Sequence, residues 1–329
     1  METRNFETHN EVGAVPDIVT LTINPAVDIF VHVGRVEPTQ KLRCSSPKRD
    51  PGGGGINVAR AAHRLGSTVA AIYPASGAIG KLLQRLVERE GIDSLISPSH
   101  AETRENFTAY ETESGEQFRF VLPGSILHPS EWQACLRLLE TLPEKPKFIV
   151  ASGSLPPGVP DDCYVHVART AKRQGALIAV DTSGPALAAV LQEGVSLIKP
   201  NLSELGELVG ATLDTDAACV AACRKLIDDG RTQTVALTLG DQGAILVTAQ
   251  HAWKAAPLAI EVESAVGAGD SFLGGLISAL AAGKPMEDAF RLGVAAGSAA
   301  VMSPGTELCL EADVKRLLPR IEISEIAGA

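Results

Sequence analysis

From residue 146 onward the chain alternates short apolar runs with segments of helical period. The runs predict strands at 147–151, 177–181, 196–199, 234–239 and 244–248, with helices at 161–174, 203–209 and 217–229 between them. Two further helices rich in alanine and glycine are predicted at 269–282 and 285–302. Strand–helix alternation of this kind implies an α/β body, a mainly parallel sheet covered on both faces. Right-handed crossovers then gather the loops after the strands on one edge, where ligands bind.

The first third reads differently. Residues 17–23 form an apolar strand, but 29–36 and 41–46 alternate apolar with polar positions, as do 106–112 and 117–122 around the connection Glu113-Ser114-Gly115-Glu116. Alternation marks strands with one solvated face. We therefore expect a small antiparallel sheet, built from two insertions at about 29–50 and 104–122, that covers a pocket or pairs with a second subunit.

Composition narrows the field. The 329 residues are 45% hydrophobic and only 4% aromatic, as alanine-rich helices on parallel strands would require. The net charge is −10, with no long basic run, which argues against a nucleic-acid partner. No apolar stretch is long enough to cross a membrane: 271–282 holds several glycines and stops at Gly283-Lys284. Six scattered cysteines without a C-x-x-C pair point to reduced thiols and a cytoplasmic location. Cys219 and Cys223, four apart with no second pair, argue against a zinc site. Residues 1–16 lack the apolar core of a signal peptide and are expected to be a flexible extension to one domain at 17–329.

Candidate chemistry begins at Pro51-Gly52-Gly53-Gly54-Gly55-Ile56-Asn57, a glycine run entering a helix. Glycines let backbone amides approach a ligand, and a helix start adds partial positive charge. Asn57 offers an amide to sugar hydroxyls. Mere chain reversal is the alternative, but each glycine costs roughly 1 kcal/mol relative to alanine, which favours ligand binding. No G-K-[ST] follows, and dinucleotide spacing is absent.

In Gly267-Ala268-Gly269-Asp270 a glycine turn places a carboxylate in the first turn of a helix. Its amides form an anion hole for a transferring phosphoryl group, and Asp270 is a base for the attacking hydroxyl; a plain helix cap fits equally well. Lys199-Pro200-Asn201-Leu202-Ser203-Glu204 reads first as a capping box and second as a carboxylate and amide facing metal-bound phosphates. Lys41, Arg43 and Arg104 are isolated bases near the predicted lid. Asp28 is either a turn aspartate or a hydroxyl-binding one.

Together these segments resemble the ribokinase-like (PfkB) family of carbohydrate kinases, most of all its minor ATP-dependent 6-phosphofructokinase branch. KLRC, PGGGGINVARA, SGEQFRFVLPG, SGSLPPGV, IKPNLSE, TLGDQGA, VGAGDS and GVAAGSAA occur in the family's order from about residue 17 to 317. The resemblance implies a ribokinase-like three-layer sandwich with a small β-sheet lid that pairs between subunits, hence a homodimer. It implies Asp270 as catalytic base, with Gly267, Ala268 and Gly269 as the anion hole. Asn201 and Glu204 would order Mg²⁺ through water, and Lys199, Thr238, Gly240 and Gly243 would line the ATP site. Asp28, Gly53, Gly54 and Asn57 would hold sugar hydroxyls, Arg104 and Ser154 the substrate phosphate. Lys41 would lie near the transferred phosphate, and Arg43 would reach into the neighbouring subunit's site. Ser264-Ala265-Val266 departs from the family's Asp-Thr, and Met302-Ser303-Pro304 also departs, which puts K⁺ dependence in question.

The expected reaction is transfer of the ATP γ-phosphoryl to the 1-hydroxyl of fructose 6-phosphate. Fructose 1-phosphate and tagatose 6-phosphate are the alternative acceptors; the lysine-free glycine run and KLRC resemble the 6-phosphofructokinase branch and so favour fructose 6-phosphate. A sugar-phosphate sensor without turnover is opposed by the retained Asp270, Gly267, Gly269 and Glu204. A nicotinamide-dependent oxidoreductase is opposed by the missing dinucleotide fingerprint.

Overall fold

Adjacent residues of the first strand, β1 (Ile18–Leu21), bury on opposite faces: Ile18 joins one core cluster, Val19 and Leu21 the other. Such a strand can only lie inside a sheet covered on both sides. This computed structural model describes residues 16–326, so the expected N-terminal extension lies almost wholly outside the described residues.

In chain order β1 is followed by β2 (Ala26–Val33), β3 (Lys48–Gly52), α1 (Gly54–Arg64), β4 (Val69–Ala75), α2 (Gly77–Arg89) and β5 (Asp93–Pro98). Next come β6 (Arg104–Glu111), β7 (Gln117–Phe120), α3 (Pro129–Glu140), β8 (Phe148–Ser152), α4 (Cys163–Gln174), β9 (Leu177–Asp181) and α5 (Gly184–Glu193). The remainder is β10 (Val195–Ile198), α6 (Leu202–Val209), α7 (Asp216–Asp228), β11 (Thr232–Thr238), β12 (Ala244–Val247), β13 (Ala252–Ala255), α8 (Ala268–Ala281), α9 (Met286–Val301), α10 (Glu311–Leu317) and β14 (Ile323–Glu325).

The large sheet has ten strands in the order β14-β13-β12-β11-β10-β9-β8-β1-β4-β5. From β5 through β11 neighbours are parallel; β12, β13 and β14 close one edge antiparallel. α1, α2, α8, α9 and α10 cover one face, and α3 to α7 the other, making three layers. Small residues bring α1, α8 and α9 close: a Cβ on Gly274 would stand 2.6 Å from the Ala61 Cβ, and one on Gly275 2.8 Å from that of Ala296.

The small sheet, β3-β2-β6-β7, corrects one expectation. Its central pair, β2 and β6, is parallel, with Asp28 opposite Asn106; only the outer pairs are antiparallel. Each insertion folds back on itself as an antiparallel pair, and the two then join through strands of the same direction. The strand expected at 41–46 is also displaced. That segment is irregular apart from a bridge between Cys44 and Val33, and the strand is Lys48–Gly52, running straight into the glycine loop. Phe107, Phe120, Val121, Leu122 and Ile126 leave large apolar side chains exposed on and beyond this sheet.

Candidate active site

The parallel strands end where the starts of α1 and α8 converge. A cavity of about 180 Å³ there is lined by Gly54, Ser154, Asp181, Glu204 and Asp270, among others. A larger surface cleft, about 530 Å³, lies at Asp241, Lys254 and Glu322. Its one cation, Lys254, pairs with Asp216 at 2.5 Å, and the expected base Asp270 lines the smaller cavity, not this cleft.

Asp270 sits in the first turn of α8. Gly267 caps that helix at φ 74°, a conformation that favours glycine, and a Cβ there would lie 2.2 Å from the Leu308 Cδ2. The first-turn amides have no partner inside the helix, and that of Ala268 makes only a long 3.5 Å contact with the Ala265 carbonyl. A Cβ on Gly269 would come 3.1 Å from Lys199 Nζ, so glycine keeps the lysine's approach open. Asn57, one turn into α1, donates its Nδ2 to Asp270 Oδ2 at 2.9 Å.

Charge surrounds this carboxylate. Burial and the Asp181 carboxylate push the Asp270 pKa up to about 6, against the Asn57 hydrogen bond and the Lys199 charge. Burial works against the Lys199 ammonium, yet Asp181, 3.1 Å away, and Asp270 hold its pKa above the ordinary lysine value. Lys199 is therefore a fixed cation, and Asp270 titrates near the working range of an enzyme.

On the lid side, Asp28 lies beneath the glycine run: a Cβ on Gly52 would fall 2.2 Å from its Oδ2. Burial raises the Asp28 pKa, while the Asn106 amide, donating to Oδ1 at 2.8 Å, and the Arg104 charge oppose the rise. Arg104 donates to the carbonyls of Asn24, at 2.9 Å, and Leu122, leaving a buried Nε with no partner. Ser154 accepts from Asn24 Nδ2 at 3.2 Å. Gly54 packs so closely that a Cβ would stand 2.3 Å from Ser152 Oγ, and Gly53 adopts φ 108°.

Asn201 and Glu204 form a full capping box. Asn201 Oδ1 accepts from the Glu204 amide and Glu204 Oε2 from the Asn201 amide, both at 2.8 Å. The same Glu204 lines the cavity, so capping and a role toward the site coexist. Thr238 bridges to Asn201, its amide bonding the Pro200 carbonyl at 3.0 Å, and Gly240 and Gly243 shape the turn after β11. Lys41 and Arg43 do not join this constellation within one chain: they lie in the exposed segment between β2 and β3, outside the cavity lining.

Two participants were missed from the sequence. Asp181 ends a correctly placed strand, and its position at a parallel strand's carboxyl end was the available signal. Asn106 was read only as part of an alternating strand; its meeting with Asp28 depends on the parallel register of β2 and β6.

Comparison with known proteins agrees with this geometry. Residues 17–313 match the pfkB family of carbohydrate kinases. The chain is 43% identical over 301 residues to ATP-dependent 6-phosphofructokinase isozyme 2 of Mycobacterium tuberculosis, covering 92% of this chain and 88% of that protein. It is 39% identical over 302 residues to the Escherichia coli protein of the same name, covering 91% and 97%. Identity to 1-phosphofructokinase of Bacillus subtilis is 31% over 309 residues, covering 94% and 100%. Among solved structures, E. coli phosphofructokinase-2 in complex with fructose-6-phosphate superposes with TM-score 0.88 at 36% identity, covering 93% of this chain and 99% of that one. The same enzyme in complex with potassium gives 0.89 at 37%, and its tetrameric inhibited form 0.87 at 36%, each with the same coverage. Family match, fold and the constellation at the strand ends converge: the chain belongs to the pfkB family of carbohydrate kinases and is a sugar-phosphate kinase.

Proposed function

We propose that the chain transfers the γ-phosphoryl group of ATP to the 1-hydroxyl of fructose 6-phosphate, with Asp270 as the base. The observation that carries this reading is Asp270 itself, half-buried at the cavity, oriented by Asn57 and titrating near pH 6. Relatives named 6-phosphofructokinase at 43% and 39% identity support this acceptor. The buried, unpartnered Nε of Arg104, a donor suited to a sugar phosphate, supports it too.

In this mechanism Asp28 and Asn57 hold the sugar hydroxyls, with Arg104 and Ser154 at the acceptor's own phosphate. Asp270 accepts the proton of the 1-hydroxyl as the oxygen attacks the γ-phosphorus in line. The bond to the β-phosphate bridging oxygen breaks, ADP leaves, and the first-turn amides from Gly267 to Asp270 stabilise the charge that develops. Lys199, Asn201, Thr238, Gly240 and Gly243 line the nucleotide path. Mg²⁺ would arrive on the nucleotide phosphates, and Glu204, which lines the cavity, would act through its water shell. When bound, that ion neutralises phosphate charge. The loops at Ser264 and Gly305, tied by a 2.9 Å hydrogen bond, are where K⁺ would act. The exposed apolar lid residues support a homodimer in which Arg43 reaches the partner's site, and the protein works in the cytoplasm.

A coupled assay of ADP release tests the reading, using ATP with fructose 6-phosphate, fructose 1-phosphate and tagatose 6-phosphate, with KCl or tetramethylammonium chloride. Preference for fructose 6-phosphate is expected. Higher kcat/KM on fructose 1-phosphate would instead align the chain with the relative named 1-phosphofructokinase.

A further inference from the structure

Arg60 is 1% exposed, among the largest fully buried side chains of the protein. A guanidinium carries five N–H donors and stays charged, so burial demands both a counter-ion and acceptors. Glu90 meets the first demand, accepting on Oε1 from Nε at 3.1 Å and from NH2 at 2.9 Å. Asp50 adds a second carboxylate at 3.9 Å.

Charge pairing leaves NH1 free, and NH1 reaches three acceptors from three separate parts of the site. It donates to the Pro51 carbonyl at 3.0 Å, to Asn57 Oδ1 at 3.4 Å and to the Thr306 carbonyl at 3.4 Å. Pro51 heads the glycine run. Asn57 bonds Asp270. Thr306 opens the segment whose Leu308, itself at φ 61°, packs against Gly267.

An asparagine amide has a donating and an accepting end, and covalent structure does not decide which one faces a carboxylate. A neighbour that only donates does decide it. With Oδ1 bound to the guanidinium, Nδ2 is left to donate to Asp270; the flipped amide would set oxygen against carboxylate and nitrogen against guanidinium.

We propose that Arg60 is a positioning residue for phosphoryl transfer: one end of its guanidinium fixes the donating face of Asn57 on Asp270 and registers the glycine run and the 306–308 segment against α8. The inference rests on Asp270 being the base. The charged groups facing Asp270 are Asp181 from β9, Lys199 after β10 and Asp28 from β2, with Glu204 across the cavity. Arg60 acts directly on Asp28, so its charge and its geometry must be tested apart. Arg60→Lys keeps the charge and loses the planar fork.

The full-length Arg60→Lys variant is assayed with ATP and fructose 6-phosphate from about pH 5 to 9, beside Arg64→Lys as a stability control. Arg64 bonds the same Glu90 and the Glu307 and Cys309 carbonyls but not Asn57. Arg60→Lys is expected to move the acidic limb of kcat up by about half a pH unit or more and to lower kcat about tenfold. Arg64→Lys is expected to lower Tm with no movement of the limb. In combination, Asn57→Ala should cost less in the Arg60→Lys background than in wild type, so that the double variant loses less than the two single losses added together. Should Arg60→Lys fail to fold, Glu90→Gln, which loosens the guanidinium's anchor, should give a smaller shift in the same direction. Wild-type kcat and limb in the folded variants, or strictly additive effects, overturn the inference. Retained turnover in Asp270→Asn would instead overturn the base assignment, so the two can fail separately.

Discussion

Asp270→Asn keeps the shape of the side chain and an acceptor for Asn57, while removing both the proposed base and a half-buried charge. The loss of general-base catalysis alone should lower kcat by about 10²- to 10⁴-fold. The stability effect has the opposite sign. In the folded protein the Asp270 pKa rises from 3.8 to about 6. A raised carboxylate pKa favours the protonated fold, so its contribution is fully present below pH 3.8 and is lost as pH rises through 6. At about 1.4 kcal/mol per pH unit the full penalty is on the order of 3 kcal/mol, and solvent in the open cavity screens it to about 1–2 kcal/mol. Asparagine has no such penalty. The variant should therefore match wild type in Tm near pH 4 and exceed it by about 3 °C above pH 7, with most of the change between the two pKa values.

Thermal melts across this range, paired with ADP release at each pH, give both readings from one preparation. A Tm difference independent of pH would mean that Asp270 is not a strained carboxylate. Near-normal kcat in the variant would remove it as the base. Either result refutes the reasoning, and each refutes a different step.

Arg104→Met should raise KM for the sugar phosphate about 10- to 100-fold, the worth of a charge-assisted hydrogen bond, and leave KM for ATP close to wild type; steady-state kinetics check this. Gly54→Ala forces a Cβ to within 2.3 Å of Ser152 Oγ and 2.9 Å of the Gly153 amide. It should destabilise by about 1–3 kcal/mol in urea unfolding and raise the sugar KM. Light scattering should find a dimer, and Phe120→Asp, on the exposed lid face, should shift it toward monomer. Chelating Mg²⁺ with EDTA should abolish ADP release, and added MgCl₂ should restore it.

The body of the fold was legible because buried parallel strands are continuous apolar runs whose ends are marked by turns. The strand predicted at 177–181 is β9 to the residue. The lid was legible as strands but not as topology. Alternation at 29–36 and 106–112 states that one face is solvated and says nothing of which strand each will pair with, so the parallel β2–β6 register stayed hidden. Residues 41–46 alternate without hydrogen-bond partners on both sides, and the pattern alone overcalled them. Within the site, Gly267, Gly269 and Asp270 were legible because backbone geometry and chemistry coincide in one short segment. Asp181 and Arg60 were not, since their significance comes from what stands opposite them across the fold.

That distinction explains how chemistry and specificity divide in this protein. The described lining of the cavity carries three carboxylates, Asp181, Glu204 and Asp270, and no lysine or arginine; Lys199 stands behind it against Asp181 and Asp270, and Arg104 lies on the lid side beside Asp28. Lys199 is already matched by Asp181, so an incoming phosphate finds little uncommitted positive charge near the base. On the proposed reading, the nucleotide must bring its own compensation as a divalent cation, and the acceptor must find its at the lid, where Arg104 keeps an unpartnered N–H. The surplus suits the proposed base, because burial first, and then the Asp181 and Asp28 carboxylates, raise the Asp270 pKa to about 6, where it can take a proton and give it back. On the same reading, that surplus would repel any anionic sugar not held by Arg104 and by the bases of the 41–43 segment. Those bases lie away from the cavity of a single chain, so on the proposed reading the choice of sugar would depend on how the lid meets a second subunit, whereas phosphoryl transfer would need only the strand ends of one.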